Sequence, residues 1–150
     1  GKGLSGMYEI SIIAILAACI SALVRMNGGF KWILDRVQGR VGGYKGGQFG
    51  IGALVLMMDF ATANNTIAIV LAAPLAKQIA ETFKISAKRS ASLLDIFSSV
   101  GQGLIPYGAQ LLSAAALTGL TPLVIMPYLY YPILMLVCVV AYILMSKEGE

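Results

Sequence analysis

One carboxylate and four uncharged polar side chains interrupt a long apolar stretch of the chain. They are Asp59, Thr62, Asn64, Asn65 and Thr66, and apolar arms flank them on both sides. A charged side chain at the centre of a bilayer costs roughly 2.5–3.5 kcal/mol on insertion scales, so such groups face protein or a water-filled cavity. Paired asparagines also continue a helix poorly, because their side chains compete for backbone hydrogen bonds. We therefore predict an interrupted helix whose polar groups line a protected cavity.

A second polar cluster follows further along the chain. Its residues recur at helical spacing on one face and are Ser92, Asp95, Ser98, Ser99 and Gln102. Because the remaining positions of this helix are largely apolar, we expect the polar face to point to the protein interior. The run 101–110 then supplies three glycines and Pro106, which predicts a second interruption, beside Tyr107 and Gln110.

The oxygen atoms of these two clusters are hard ligands, which suit Na⁺ better than transition metals. The sequence therefore predicts a Na⁺ site. Its candidate metal ligands are Asp59, Asn64, Asn65 and Asp95. The further candidate binding residues are Thr62, Thr66, Ser98, Ser99, Gln102, Tyr107 and Gln110. A lone aspartate in an apolar run can instead pair with a lysine of another helix, and glycine-rich breaks can serve only as hinges. Both alternatives stay open on the sequence alone.

The composition is that of a membrane protein. Of the 150 residues, 58% are hydrophobic and 12% are charged, whereas soluble domains carry roughly 25% charged residues. The net charge of +4 comes from short loops, which suits the cytoplasmic face of a bilayer better than a nucleic acid. The absence of histidine excludes histidine zinc sites and Ser-His or Cys-His catalytic pairs within the chain. We expect neither enzymatic activity nor a resident cofactor.

We predict an all-α membrane protein with a single domain over 1–150. Its predicted elements are a transmembrane helix at 7–26, an interfacial amphipathic helix at 29–45, a re-entrant hairpin at 46–77, a broken transmembrane helix at 87–120 and a transmembrane helix at 122–146. The chain begins with Gly and shows no signal peptide, and we expect it to be a part of a longer protein.

The distribution of positive charge favours the hairpin over a single crossing. Five Lys and Arg residues precede it at 25–45 and four follow it at 77–89. A hairpin leaves both basic loops on the cytoplasmic side, whereas a single crossing separates them. Each arm is expected to reach roughly 15–20 Å, to about the middle of the membrane. Two interrupted elements, each with a carboxylate shortly before the break, indicate a transporter site.

Two stretches resemble a known family. They are Asp59-Phe-Ala-Thr-Ala-Asn-Asn-Thr-Ile-Ala-Ile, followed by Ala-Pro-Leu-Ala-Lys77, and Arg89-Ser-Ala-Ser-Leu-Leu-Asp95-Ile-Phe-Ser, followed by Gln102-Gly-Leu-Ile-Pro-Tyr-Gly-Ala-Gln110. They resemble the C-terminal part of the NhaC-type Na⁺/H⁺ antiporters, over about Gly6 to at least Leu120. The resemblance implies the ion-transporter-superfamily fold of inverted repeats, of which this chain matches the second repeat. The site positions that it implies are Asp59, Asn64, Asn65, Thr66, Asp95 and Gln102.

The resemblance and the carboxylates together predict a multi-pass protein of the cell (plasma) membrane that exchanges Na⁺ for H⁺. Both ions would compete for a carboxylate, and alternating access to the two sides would then produce obligatory exchange. The expected partners are the lipid bilayer, Na⁺, H⁺ and the N-terminal repeat, with a homo-oligomer as a further assembly. The chain is not expected to bind nucleic acid.

Two alternatives to Na⁺/H⁺ exchange remain. The same family includes exchangers of dicarboxylates, such as malate for Na⁺ and lactate. A carboxylate substrate would bind at the helix N-termini after Asn65 and Gly108. The sequence places no arginine inside the predicted membrane segments to hold it, which favours the inorganic cation. The second alternative is a structural subunit without a transport role.

Overall fold

The computed structural model describes residues 42–147 without a gap and, before them, only positions 8, 12, 15, 16, 19, 22, 23, 26–29 and 32. Most of the predicted span at 7–26 and most of the predicted interfacial helix at 29–45 lie outside the described residues. The continuous part contains the helices α1 (Gly43–Thr62), α2 (Asn65–Thr82), α3 (Ala87–Leu104), α4 (Ala109–Thr118), α5 (Pro122–Ile125) and α6 (Tyr130–Met145), with a 3-10 turn at Met126–Tyr128. The described residues form helices and no strand, which agrees with an all-α fold.

Helices α1 and α2 form a hairpin around the break at 63–64. Gly47, near the start of α1, lies directly against Phe83 and Ile85, which follow α2. At about 1.5 Å per residue, the 20 residues of α1 reach about 30 Å and the 18 residues of α2 about 27 Å. The arms are therefore longer than the predicted 15–20 Å, because α1 begins at Gly43 and α2 continues past Pro74 to Thr82.

Small residues allow the two arms to approach closely. The buried alanines of α2 recur every fourth residue and are Ala68, Ala72, Ala76 and Ala80. This spacing places them on one helix face, where small side chains permit a short distance between helix backbones. They join one hydrophobic cluster with the larger buried residues of α1, which are Ile51, Leu54, Val55 and Met58.

Helix α3 runs parallel to α1. Its Arg89 contacts Tyr44 near the start of α1, and its Phe97 contacts Gly52 half-way along. A Cβ atom at Gly52 would lie 2.6 Å from the Phe97 ring, so only glycine allows this approach. The end of α3 therefore lies beside the end of α1, which brings the two helix breaks to the same end of the bundle.

Helix α6 runs antiparallel to α3 and returns the chain to the start of α1. Pro132, near the beginning of α6, lies against Gly103 at the end of α3. At the other end, Gln48 Nε2 donates a hydrogen bond to Ser146 Oγ over 3.0 Å, and Lys45 Nζ donates one to the carbonyl of Leu144.

The basic residues and the helix breaks lie at opposite ends of the bundle. All lysines and arginines within 42–147 lie toward one end, which we call the basic end, and are Lys45, Lys77, Lys84, Lys88, Arg89 and Lys147. The breaks after α1 and after α3 lie at the opposite end, which we call the break end. A hairpin with both loops on the cytoplasmic side predicts this arrangement.

The chain from 122 to 146 differs from the single helix that the sequence predicted. It is divided into α5, the 3-10 turn and α6, with Leu129 outside helical geometry. Pro127 lies in the divided stretch, and a proline cannot donate the backbone hydrogen bond that would continue a helix. By length and composition, no single helix of the described residues suffices to cross a membrane. The pair Ala87–Thr118 and Pro122–Tyr128, bent by 97°, passes the same test together.

Candidate ion-binding site

The first break is built by local backbone and side-chain chemistry. Ala63 adopts the left-handed conformation, with φ of 50°, and ends α1 by donating its N–H to the carbonyl of Asp59. Asn64 is extended, and its side-chain oxygen accepts a hydrogen bond from the N–H of Ile67 over 3.2 Å, which caps α2. The Thr62 hydroxyl donates to the carbonyl of Asn64 over 3.1 Å. The side chains of Thr62 and Asn64 therefore hold the break in shape.

Asp59 lies in the last turn of α1 and is completely buried. Its Oδ2 atom lies so close to α3 that a Cβ atom at Gly101 would be 2.6 Å from it. The backbone N–H of Gln102 faces the carboxylate. Among the described residues, however, neither carboxylate oxygen has a hydrogen-bond partner of normal geometry. The sequence predicted an intramembrane carboxylate here, and the structure shows that it lies between two helices rather than on the outer surface of the bundle.

The second break ties the end of α3 to the end of α1. It occupies 105–108, where Pro106 provides no backbone N–H. Tyr107 donates a hydrogen bond from its hydroxyl to the carbonyl of Phe60 over 2.6 Å. That carbonyl lies in the last turn of α1, where the helix supplies no backbone partner. Phe60 directly follows the buried Asp59 in the chain. The two breaks and the buried carboxylate therefore form one site.

The second candidate carboxylate lies elsewhere. Asp95 is exposed on the surface of the chain, contrary to the expectation that its polar face points to the interior, whereas Ser98 on the same helix is buried. Asp95 precedes Gly101 by six residues, or about 9 Å along the helix axis, and its Cβ tilts further toward the helix N-terminus. The structure does not bring Asp59 and Asp95 together as ligands of one ion.

The remaining candidates lie around the two breaks at different depths. Asn65 is half-buried, and its side-chain oxygen accepts a hydrogen bond of 3.4 Å from the exposed Thr66. Ser99 and Gln102 are half-buried on α3, and Gln110 is exposed at the start of α4. Within the described residues no three carboxylate or thiolate ligands cluster as they would for a multivalent metal. The site offers one buried carboxylate with neutral oxygen atoms nearby, a set that suits a monovalent hard cation or a proton.

Two residues have roles in the structure that their sequence context does not indicate. Gly101 was noted only as part of a helix break, although it is the contact that admits the Asp59 carboxylate. Arg89 was assigned to a basic loop, yet its side chain is buried and donates hydrogen bonds to the hydroxyls of Tyr44 and Tyr142. No local pattern marks either role, because both depend on contacts between distant parts of the chain.

Two interrupted helices that meet beside a buried carboxylate are an arrangement typical of secondary transporters. The chain belongs to the Na⁺/H⁺ antiporter family, because the sequence model of that family matches residues 1–147. It is therefore a member of a family of membrane transporters that exchange cations for protons, rather than of an enzyme family. No curated protein and no solved structure matches the chain.

Proposed function

We propose that this chain forms the ion-binding half of a Na⁺/H⁺ antiporter of the NhaC type, a multi-pass protein of the plasma membrane. Asp59 is the group at which Na⁺ and H⁺ compete. The protein would exchange the two ions by exposing this carboxylate alternately to the two sides of the membrane, with the N-terminal repeat as the bundle that moves against it.

The observation that carries the proposal is the unpaired burial of Asp59. An ionised carboxylate that is removed from water costs several kcal/mol unless it is paired or hydrogen-bonded. The described part of the chain provides neither oxygen of Asp59 with a normal hydrogen bond. The group must therefore carry a proton or a bound cation. A single carboxylate neutralises only one positive charge at a time. Binding of Na⁺ therefore releases H⁺, and binding of H⁺ releases Na⁺.

The distribution of cationic residues favours a cation as cargo over a dicarboxylate. A dicarboxylate needs positive partners, yet the lysines and arginines of the described residues lie toward the basic end. Arg89 precedes Gly101 by 12 residues on α3, so it lies about 18 Å along the helix from the contact with Asp59. Asn64 already occupies one N–H at the start of α2, where a carboxylate substrate would have to bind.

Asp95 has a separate place in the proposal. Its exposed side chain lies on a face of α3 that the other described residues leave open. We propose that the N-terminal repeat covers this face, so that Asp95 contributes to the ion path from the opposite side of the site. Lipid and a second copy of the chain are the other groups that would contact this bundle.

The test measures Na⁺-driven proton movement in proteoliposomes that contain the full-length protein, as a function of Na⁺ concentration and pH. In the wild type the apparent Na⁺ affinity should improve as the pH rises, because fewer protons compete, and should then level off. Asp59→Asn keeps the size of the side chain but can neither release a proton nor carry the charge, so exchange should be abolished while the protein still folds. Asp95→Asn should abolish exchange or weaken Na⁺ binding strongly.

Glu81→Gln is the matched control, because Glu81 is an exposed carboxylate at the basic end that pairs with Lys77 over 3.9 Å. Its exchange should equal that of the wild type. A wild-type Na⁺ affinity that is flat from acid to alkaline pH, or normal exchange by Asp59→Asn, would show that Asp59 is a structural group and that the proposed site is wrong.

A further inference from the structure

A cavity lies between α3 and α6 at the basic end, remote from Asp59. Its volume is about 280 Å³. The polar part of its lining comes from the first turns of α3 and the residue before it, and consists of Ser86, Lys88, Arg89 and Ser92. The remaining wall is apolar or aromatic and includes Leu93, Ile96 and Val139. The cavity is therefore amphipathic, with two cations on one side and hydrocarbon on the other.

Arg89 carries a buried charge for which the described residues supply no carboxylate partner. Its side chain is only 8% exposed, and its two terminal nitrogens donate hydrogen bonds to the hydroxyls of Tyr44 and Tyr142. Both hydroxyls are neutral groups, and the guanidinium lies 4.8 Å from the Tyr142 ring centroid, which is a cation–π distance. The ion pair of the described residues joins Lys77 to Glu81 and leaves Arg89 without a carboxylate.

The two tyrosines fix the guanidinium but do not neutralise it. A guanidinium has five N–H donors, and the tyrosine hydroxyls use two of them. The planar donor group matches the oxygen atoms of a phosphate. Lys88 is exposed beside it and adds a second positive charge. Helix α3, whose first turn contains no acidic residue, adds the positive end of its dipole.

We infer that this cavity binds an anionic phospholipid, with the phosphate of the headgroup at Arg89 and Lys88 and an acyl chain along Leu93, Ile96 and Val139. The cationic side alone would suit a free phosphate, but the apolar wall favours a ligand that has both a phosphate and a hydrocarbon chain. Basic pockets between membrane helices on the cytoplasmic side bind lipid headgroups in this way. The inference rests on the membrane location of the family and not on the role of Asp59.

The test measures ligand binding to the full-length protein in a neutral detergent, from the shift of the thermal unfolding midpoint during titration. The ligands are a short-chain phosphatidylglycerol, a phosphatidylcholine with the same acyl chains, and inorganic phosphate. Phosphatidylglycerol should stabilise the protein at concentrations at which the other two have little effect. Each cation near the membrane surface contributes about 1 kcal/mol to binding of anionic lipid, so Lys88→Gln should weaken the binding of phosphatidylglycerol about fivefold.

Two further variants locate the effect. Arg89→Gln should weaken the binding by about tenfold or more, because it removes the hydrogen-bonding fork as well as the charge. Should this variant fail to fold without its tyrosine contacts, Lys88→Gln decides the question, since the Lys88 side chain is exposed. Lys84→Gln is the matched control, because it removes an exposed cation at the same end outside the cavity lining and should leave the affinity unchanged.

Three results would overturn the inference. Equal stabilisation by phosphatidylcholine would show that the headgroup charge is not recognised. A full shift with inorganic phosphate alone would replace the lipid by a free anion. Equal weakening by Lys84→Gln and Lys88→Gln would show a general effect of surface charge. Normal Na⁺/H⁺ exchange alongside any of these results would leave the proposed role of Asp59 intact.

Discussion

Replacing Gly101 by alanine tests the contact between α3 and the Asp59 carboxylate. The new methyl group would lie 2.6 Å from Asp59 Oδ2 and 3.0 Å from Leu56 Cδ2. An ordinary contact begins at 3.4 Å, so the carboxylate oxygen must retreat by about 0.8 Å. Overpacking of this kind costs about 1–3 kcal/mol, while alanine in place of glycine stabilises a helix by about 1 kcal/mol. The free energy of unfolding should therefore fall by only about 0–2 kcal/mol.

The effect on ion binding should be larger than the effect on stability. Helix propensity does not act on the bound ion, so the whole overpacking energy of about 1–3 kcal/mol can weaken Na⁺ binding, which corresponds to about 5–150-fold. The assay compares the Na⁺ dependence of exchange in proteoliposomes with the thermal unfolding midpoint. Gly103→Ala is the control, because it gains the same helix propensity on the same helix while its Cβ meets Pro132 at 3.0 Å. If Gly101→Ala binds Na⁺ with the affinity of the wild type, the assignment of the Asp59 carboxylate to the Na⁺ site is refuted.

Three further predictions concern the residues that build the two breaks. Ala63→Gly should raise the free energy of unfolding by about 1 kcal/mol, because Ala63 has a positive φ that glycine adopts more easily. Ala91→Gly, on the exposed side of α3, is the control and should lower the free energy of unfolding by a similar amount. Equal changes of the same sign in the two variants would contradict this. Asn64→Ala should lower the free energy of unfolding by about 1 kcal/mol, because it removes the cap of α2. Asn64→Ser retains a capping side chain and should keep both the stability and the exchange activity. Loss of exchange in Asn64→Ser would show that Asn64 is an ion ligand. Tyr107→Phe should lower the free energy of unfolding by about 0.5–1.5 kcal/mol, because it removes the hydrogen bond to the Phe60 carbonyl. It should change the apparent Na⁺ affinity less than Asp59→Asn does. Abolished exchange in Tyr107→Phe would assign Tyr107 to the ion site itself.

The features that depend only on a few neighbouring residues could be predicted from the sequence. The first interruption falls at 63–64, within the polar run that begins at Asp59, because Asn64 can cap a new helix with its own side chain. The second falls at 105–108, around Pro106, which lacks a backbone N–H. The long apolar stretches likewise indicated that a carboxylate at 59 must be shielded from lipid. These features need no knowledge of which helices meet.

Tertiary packing decided everything that depends on the angle and distance between helices. The sequence treated Asp59 and Asp95 as equivalent, but the packing of Gly52 against Phe97 and of Gly101 against Asp59 turns α3 so that only Asp59 is enclosed. The burial of Arg89 depends in the same way on Tyr44 and Tyr142, which are separated from it by 45 and 53 residues in the sequence. Periodicity shows which residues share a helix face, but only the contacts between helices show which face is covered, and that coverage separates an unpaired buried carboxylate from an exposed one.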